Sequence, residues 1–196
     1  GFRAVYGPIR ANDIKAFLKN KRKADKKMRQ VTFNLYERFI LTPVEIQIFL
    51  KPAMITALIL FIISGFGPGI FSFSGALERG LLSFLALIAG IVSGAFVTPV
   101  LLPFLPSRQF ALKGIIAGSV FAILFLAQVS KDIPGIAGSL ALFLFSVTIS
   151  SYLAMNFTGA TPFTSPSGVE KEMKRYIPVQ LACLVISTGL WIYSAF

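Results

Sequence analysis

Pro134-Gly-Ile-Ala-Gly-Ser-Leu-Ala-Leu-Phe-Leu-Phe-Ser-Val-Thr-Ile-Ser-Ser-Tyr-Leu-Ala-Met155 contains no charged side chain. As a helix it is long enough to cross a bilayer, which takes about 20 apolar residues. Similar stretches run over about 80–102, 111–129 and 176–195, and a shorter one over 52–66. The breaks between them hold Gly67-Pro68-Gly69, Pro103 with Pro106, Lys131-Asp132, and a polar segment at 156–175. Apolar residues make up 55% of the chain and charged residues 14%, against about 25% charged in a soluble domain. The fold class expected is an all-α membrane protein, a five-transmembrane-helix bundle over 43–196. Thr42-Pro43-Val44-Glu45 predicts a helix start, with Thr42 as cap, Glu45 closing a capping box and a kink at Pro52.

Ahead of the bundle, Phe2–Tyr6 is strand-like, Gly7-Pro8 is a turn signal, and Asn12 can cap a helix bearing Ile14, Phe17 and Leu18. One strand and one short helix do not stabilise themselves. Residues 1–20 therefore read as the last βα piece of an upstream soluble domain, or as an amphipathic arm on the membrane surface. Residues 21–42 read as a basic linker that gains from anionic lipid. The run from Lys19 to Arg29 lacks the interleaved aromatics of a nucleic-acid site, so no nucleic-acid partner is expected. With five spans, 17 of the 19 basic residues fall on the side of the N-terminus, the 103–113 connection and the 156–175 connection. The positive-inside rule makes that side cytoplasmic and leaves the C-terminus outside a cytoplasmic membrane. Trp191 and Tyr193 then suit an outer aromatic belt.

Chemistry within the spans is sparse. No ionisable group sits mid-span, which argues against an ion-coupled carrier. There is no histidine and one cysteine, Cys183, so neither a metal site nor an internal disulfide is expected. Gly90-Ile-Val-Ser-Gly94 and Gly114-Ile-Ile-Ala-Gly118 permit close helix approach, within the bundle or between chains.

The segment Asn156-Phe-Thr-Gly-Ala-Thr-Pro-Phe-Thr-Ser-Pro-Ser-Gly168 is longer and more specified than a connector requires. Asn156, Thr158, Thr161, Thr164, Ser165 and Ser167 are its candidate docking residues. They can receive an anionic or polar group, or satisfy the segment's own backbone through local turns. Ser167-Gly-Val-Glu170 fits a capping box, and Glu170 pairs with Lys174 at i,i+4, so a helical lead into span five is expected over 169–176.

The run from Met155 through Asn156-Phe-Thr-Gly-Ala-Thr-Pro-Phe-Thr-Ser-Pro-Ser-Gly-Val-Glu-Lys-Glu to Met173 resembles the last cytoplasmic loop of the mercury-methylating corrinoid proteins. Val5-Tyr-Gly-Pro-Ile-Arg-Ala-Asn-Asp-Ile-Lys-Ala-Phe-Leu18 resembles the end of that family's corrinoid-binding domain. Met28-Arg29 and Arg38-Phe-Ile-Leu-Thr-Pro-Val-Glu45 resemble its approach to the membrane. The resemblance implies a corrinoid (cobalamin) held by a domain upstream of Gly1, with a cysteine as the lower cobalt ligand. It implies methyl transfer from cobalt to inorganic mercury(II), and a ferredoxin-like partner with two [4Fe-4S] clusters that reduces the cobalt. The cobalt-ligating motif is absent from these residues, and Cys183 lies within span five. The chain's expected role is thus the membrane-anchoring domain, without catalytic residues. Its partners would be the bilayer, the corrinoid domain and the ferredoxin-like protein. The competing readings are a passive anchor, a small-solute permease, and a corrinoid methyl carrier with another acceptor.

Overall fold

The computed structural model describes residues 6–30, 34–157 and 166–196. The chain divides into two units, Gly1–Asn34 and Leu35–Phe196. In the first, a 3-10 turn at Ala11–Asp13 leads into α1, Ile14–Lys19. Asn12 therefore lies inside a turn rather than capping a helix. Phe17 is buried while Ile14 and Leu18 are exposed. The Ile9 N–H donates to Met28 O at 2.9 Å, so part of the basic run folds back on the unit's start. The strand expected at 2–6 falls largely outside the described residues.

The second unit is helical: α2 Leu35–Ser64, α3 Phe73–Ile91, α4 Thr98–Val100, α5 Phe110–Val129, α6 Gly135–Asn156 and α7 Pro166–Tyr193. A π-helical turn, Val92–Val97, joins α3 to α4. Five segments are long and apolar enough to cross a membrane: Ile46–Ser64, Phe73–Val100, Phe110–Val129, Gly135–Asn156 and Ser167–Tyr193. This is the makeup of a multi-span membrane helix bundle.

Its packing is that of a protein in lipid. Large apolar side chains point outward, among them Met54, Leu58, Ile123, Leu124, Val185 and Ile186. The buried faces are rich in small and hydroxyl residues, as close helix approach in a membrane requires. α6 is the hub and packs along α5, α7 and α3. Both glycine pairs are used there. A Cβ on Gly94 or Gly114 would stand 2.5 or 2.6 Å from Ser150 O, and one on Gly90 would stand 2.8 Å from Ser146 O. A Cβ on Gly118 would stand 2.6 Å from the Ser150 side chain. The two motifs thus clamp α6 from either side within one chain.

Several boundaries differ from the sequence reading. α2 begins at Leu35, so Thr42 lies inside the helix and is not its cap. Pro43 lacks the N–H that would bond the carbonyl four residues back, Phe39 O. The Thr42 hydroxyl donates to that carbonyl at 2.8 Å, which lets the helix continue through the proline. Span two begins at Phe73 rather than near 80, because the Ser72 hydroxyl accepts from the Gly75 N–H at 3.2 Å and caps it. The Gly67-Pro68-Gly69 break is a small hairpin pairing β1, Phe66–Gly67, with β2, Ile70–Phe71. The lead expected over 169–176 is helical and runs on unbroken into span five, but α7 already begins at Pro166, so Ser167 lies in its first turn rather than ahead of it.

Candidate functional site

Helix ends leave backbone groups without partners, and in a membrane water does not supply them. At the end of the bundle formed by the 101–109 connection, side chains from distant helices do so. α4 terminates with carbonyls exposed at Val100 and just beyond. Arg38, in the first turn of α2, donates from Nη1 to Val100 O at 2.9 Å. Lys113 Nζ donates to Leu102 O. Two cations thus face the negative end of one helix, the arrangement its dipole favours. α5 begins beside them with unpaired N–H groups. The Glu172 carboxylate, from α7, accepts from Ala111 N at 2.5 Å and caps α5 from another helix.

A polar ladder continues inward from this end. The Tyr176 hydroxyl bonds Gln109 Oε1. Gln180 Nε2 donates to Ser151 Oγ at 2.9 Å, and Ser151 Oγ donates to Ala111 O at 3.1 Å. Ser150 Oγ donates to Gly114 O at 2.7 Å. α5, α6 and α7 are therefore locked in register by side-chain hydrogen bonds, α6 to the α5 backbone and α7 to the α6 side chains, each worth about 1 kcal/mol. The Gln180 Oε1 and Ser146 Oγ atoms are buried without a partner among the described residues.

The sequence-predicted docking residues divide. Thr158, Thr161, Thr164 and Ser165 lie outside the described residues. Asn156 ends α6, half-buried, and its Nδ2 is buried without a partner among the described residues. Ser167 is exposed in the first turn of α7. The flanks of that segment do meet the 103–113 connection, through Glu172–Ala111 and Tyr176–Gln109. The Glu170–Lys174 pair forms at 2.6 Å, on the exposed face.

Arg38, Lys113, Glu172 and Gln180 are the residues the sequence reading did not single out. Lys113 carried a usable signal, a lysine three residues inside an apolar run with no acid in the same helix. The others gave none, because each acts on a backbone group more than 25 positions away or on a side chain equally remote.

The opposite end holds Arg79 and Lys131; Lys131 is exposed, and Arg79 is the one that reaches inward. Arg79 donates to Ser64 O at 3.3 Å, Phe66 O at 3.2 Å, Ser194 Oγ at 3.2 Å and Trp191 O. Its guanidinium lies 4.6 Å from the centre of the Trp191 ring. Trp191 is buried, and its Nε1 donates to Ser64 Oγ at 2.9 Å, so it is not an outer belt residue; Tyr193 is exposed. Arg79, assigned by sequence to a break, works from the second turn of α3.

Cys183 is half-buried midway along α7, and no group of three or more His, Cys, Asp or Glu side chains that could hold a metal comes together among the described residues. No family model, curated protein or solved structure matches the chain.

Proposed function

We propose that this chain is the membrane domain of a corrinoid-dependent methyltransferase that transfers a methyl group from cobalt to inorganic mercury(II). Its part in that reaction is to hold the cobalt-bearing domain at the cytoplasmic face of the membrane. The observation that carries the reading is the run from Met155 to Met173, found with the Val5–Leu18 and Arg38–Glu45 runs in family order around five apolar helices. On this reading the cobalt chemistry belongs to a separate domain of the same polypeptide. The reactive cysteine and the contacts to the ferredoxin-like protein belong there too.

The basic end of the bundle favours a working platform over a passive anchor. Its two connections are tied together by Glu172 and Tyr176, and a lipid anchor needs no such cross-bracing. The test is methylmercury formation from inorganic mercury(II), under anaerobic conditions, by membranes carrying the full-length polypeptide. The expected result is methylmercury that depends on bound corrinoid. Membranes that hold the polypeptide but neither bind corrinoid nor form methylmercury would overturn the reading.

A further inference from the structure

A cavity of about 290 Å³ opens at the basic end, lined by Leu102, Pro103, Ser107, Arg108, Phe110 and Lys113. Lys113 is only 8% exposed. An ammonium buried to that degree is costly unless an opposite charge meets it. Here it meets one carbonyl, Leu102 O, and the Phe110 ring centre at 5.7 Å. It has three donors, so two remain for another partner. No carboxylate among the described residues pairs with it, and Glu172 is turned to the start of α5. Arg108 lines the same cavity, exposed, with no partner among the described residues. Ser107 at the rim closes a local turn, its Oγ accepting from Gln109 N at 2.9 Å.

A larger cavity, about 500 Å³, lies at the opposite end, between Leu126, Ser130, Ile136 and Phe143. It has no charged lining residue. The two cavities therefore differ in the chemistry they can receive.

We infer that the cavity between the end of α4 and the start of α5 is a binding site for a phosphate group, held between Lys113 and Arg108. The buried ammonium sets the depth of the anion and the exposed guanidinium meets it with its two-pronged donor face. Pro103 and Phe110 supply apolar wall, and the first turn of a membrane span is where a lipid phosphate lies. The phosphate can belong to an anionic lipid headgroup or be free in solution. The inference rests on this geometry alone and is independent of the methyl-transfer reading.

The test uses the full chain purified in detergent, with phosphatidylglycerol, phosphatidylcholine or inorganic phosphate as the probe. Lipid retained per chain is read by native mass spectrometry, and thermal protection is read by phosphate titration. Arg108→Gln carries the test, since its side chain is exposed and makes no hydrogen bond or ion pair among the described residues. Lys113→Met is measured beside it. Phosphatidylglycerol retained over phosphatidylcholine, with the preference falling about fivefold in Arg108→Gln, supports a lipid phosphate. Protection by inorganic phosphate that is lost in Arg108→Gln supports a free one. Equal retention of the two lipids with no phosphate protection would overturn the site. So would a preference that survives both substitutions.

Discussion

Each end of this bundle holds an inward-reaching cation, and the two ends use it in opposite ways. Arg79 gives its Nη donors to the carbonyls of Ser64, Phe66 and Trp191 and the hydroxyl of Ser194 and stacks on Trp191, and its Nε is buried without a partner among the described residues. That end is a closed clasp joining α2, α3 and α7. Lys113 gives one bond to Leu102 O and faces a cavity that Arg108, without a partner among the described residues, also lines. That end has charge to spare. A cation that ties helix ends together through several bonds serves stability, and one with donors left beside open space can serve binding. The two ends of the bundle thus differ in the roles their cations can play.

Substitutions at the two ends sharpen the contrast. Arg79→Met should cost the most, roughly 3 kcal/mol, because it strips donors from the ends of two helices at once. Arg79→Lys should recover little of it, since a point charge cannot reach carbonyls in several directions. Unfolding from mixed micelles in rising detergent denaturant checks both. Gly114→Val comes next, at about 2 kcal/mol, because its Cβ would press on Ser150 O and Ser151 backbone that cannot yield cheaply. The same unfolding assay measures it, and an unchanged midpoint would mean α5 and α6 are not as close as described.

Glu172→Gln should cost about 1 kcal/mol, since the amide keeps an acceptor for Ala111 N but loses the charge that suits a helix start. Hydrogen exchange at the first turn of α5 should rise in that variant and stay unchanged elsewhere. Arg108→Gln should leave stability within about 0.5 kcal/mol while changing lipid retention. A large stability loss there would break the comparison, because it would make the two ends alike.

The five spans were legible because a membrane helix announces itself by length and the absence of charge; their ends lie close to the expected places, while spans one, two and five start earlier, at Ile46, Phe73 and Ser167. Boundaries were harder where one side chain overrode a local signal. Pro43 reads as a first-turn proline, and only the Thr42 hydroxyl, bonded to the carbonyl that Pro43 leaves free, explains a helix running on from Leu35. Trp191 near a chain end reads as a belt residue, yet Ser64 and Arg79 draw it inward from more than 100 positions away. The candidate site was legible only in part. The polar segment after Met155 is visible in composition, and its flanks do reach the 103–113 connection. Arg38, Glu172 and Gln180 serve backbone atoms and side chains of other helices, and sequence spacing carries no trace of such pairings.

The account's central claim is that the basic end of the bundle is a working surface beneath a methyl-transferring domain, and not merely a tether. The most direct measurement replaces Leu35–Phe196 in the full-length polypeptide with an unrelated five-span bundle of the same orientation. Methylmercury formation is then compared at matched membrane levels and matched corrinoid content. The account predicts that the replacement binds corrinoid but loses most of its methylation. Equal rates in the two proteins would contradict it and leave the bundle a passive anchor.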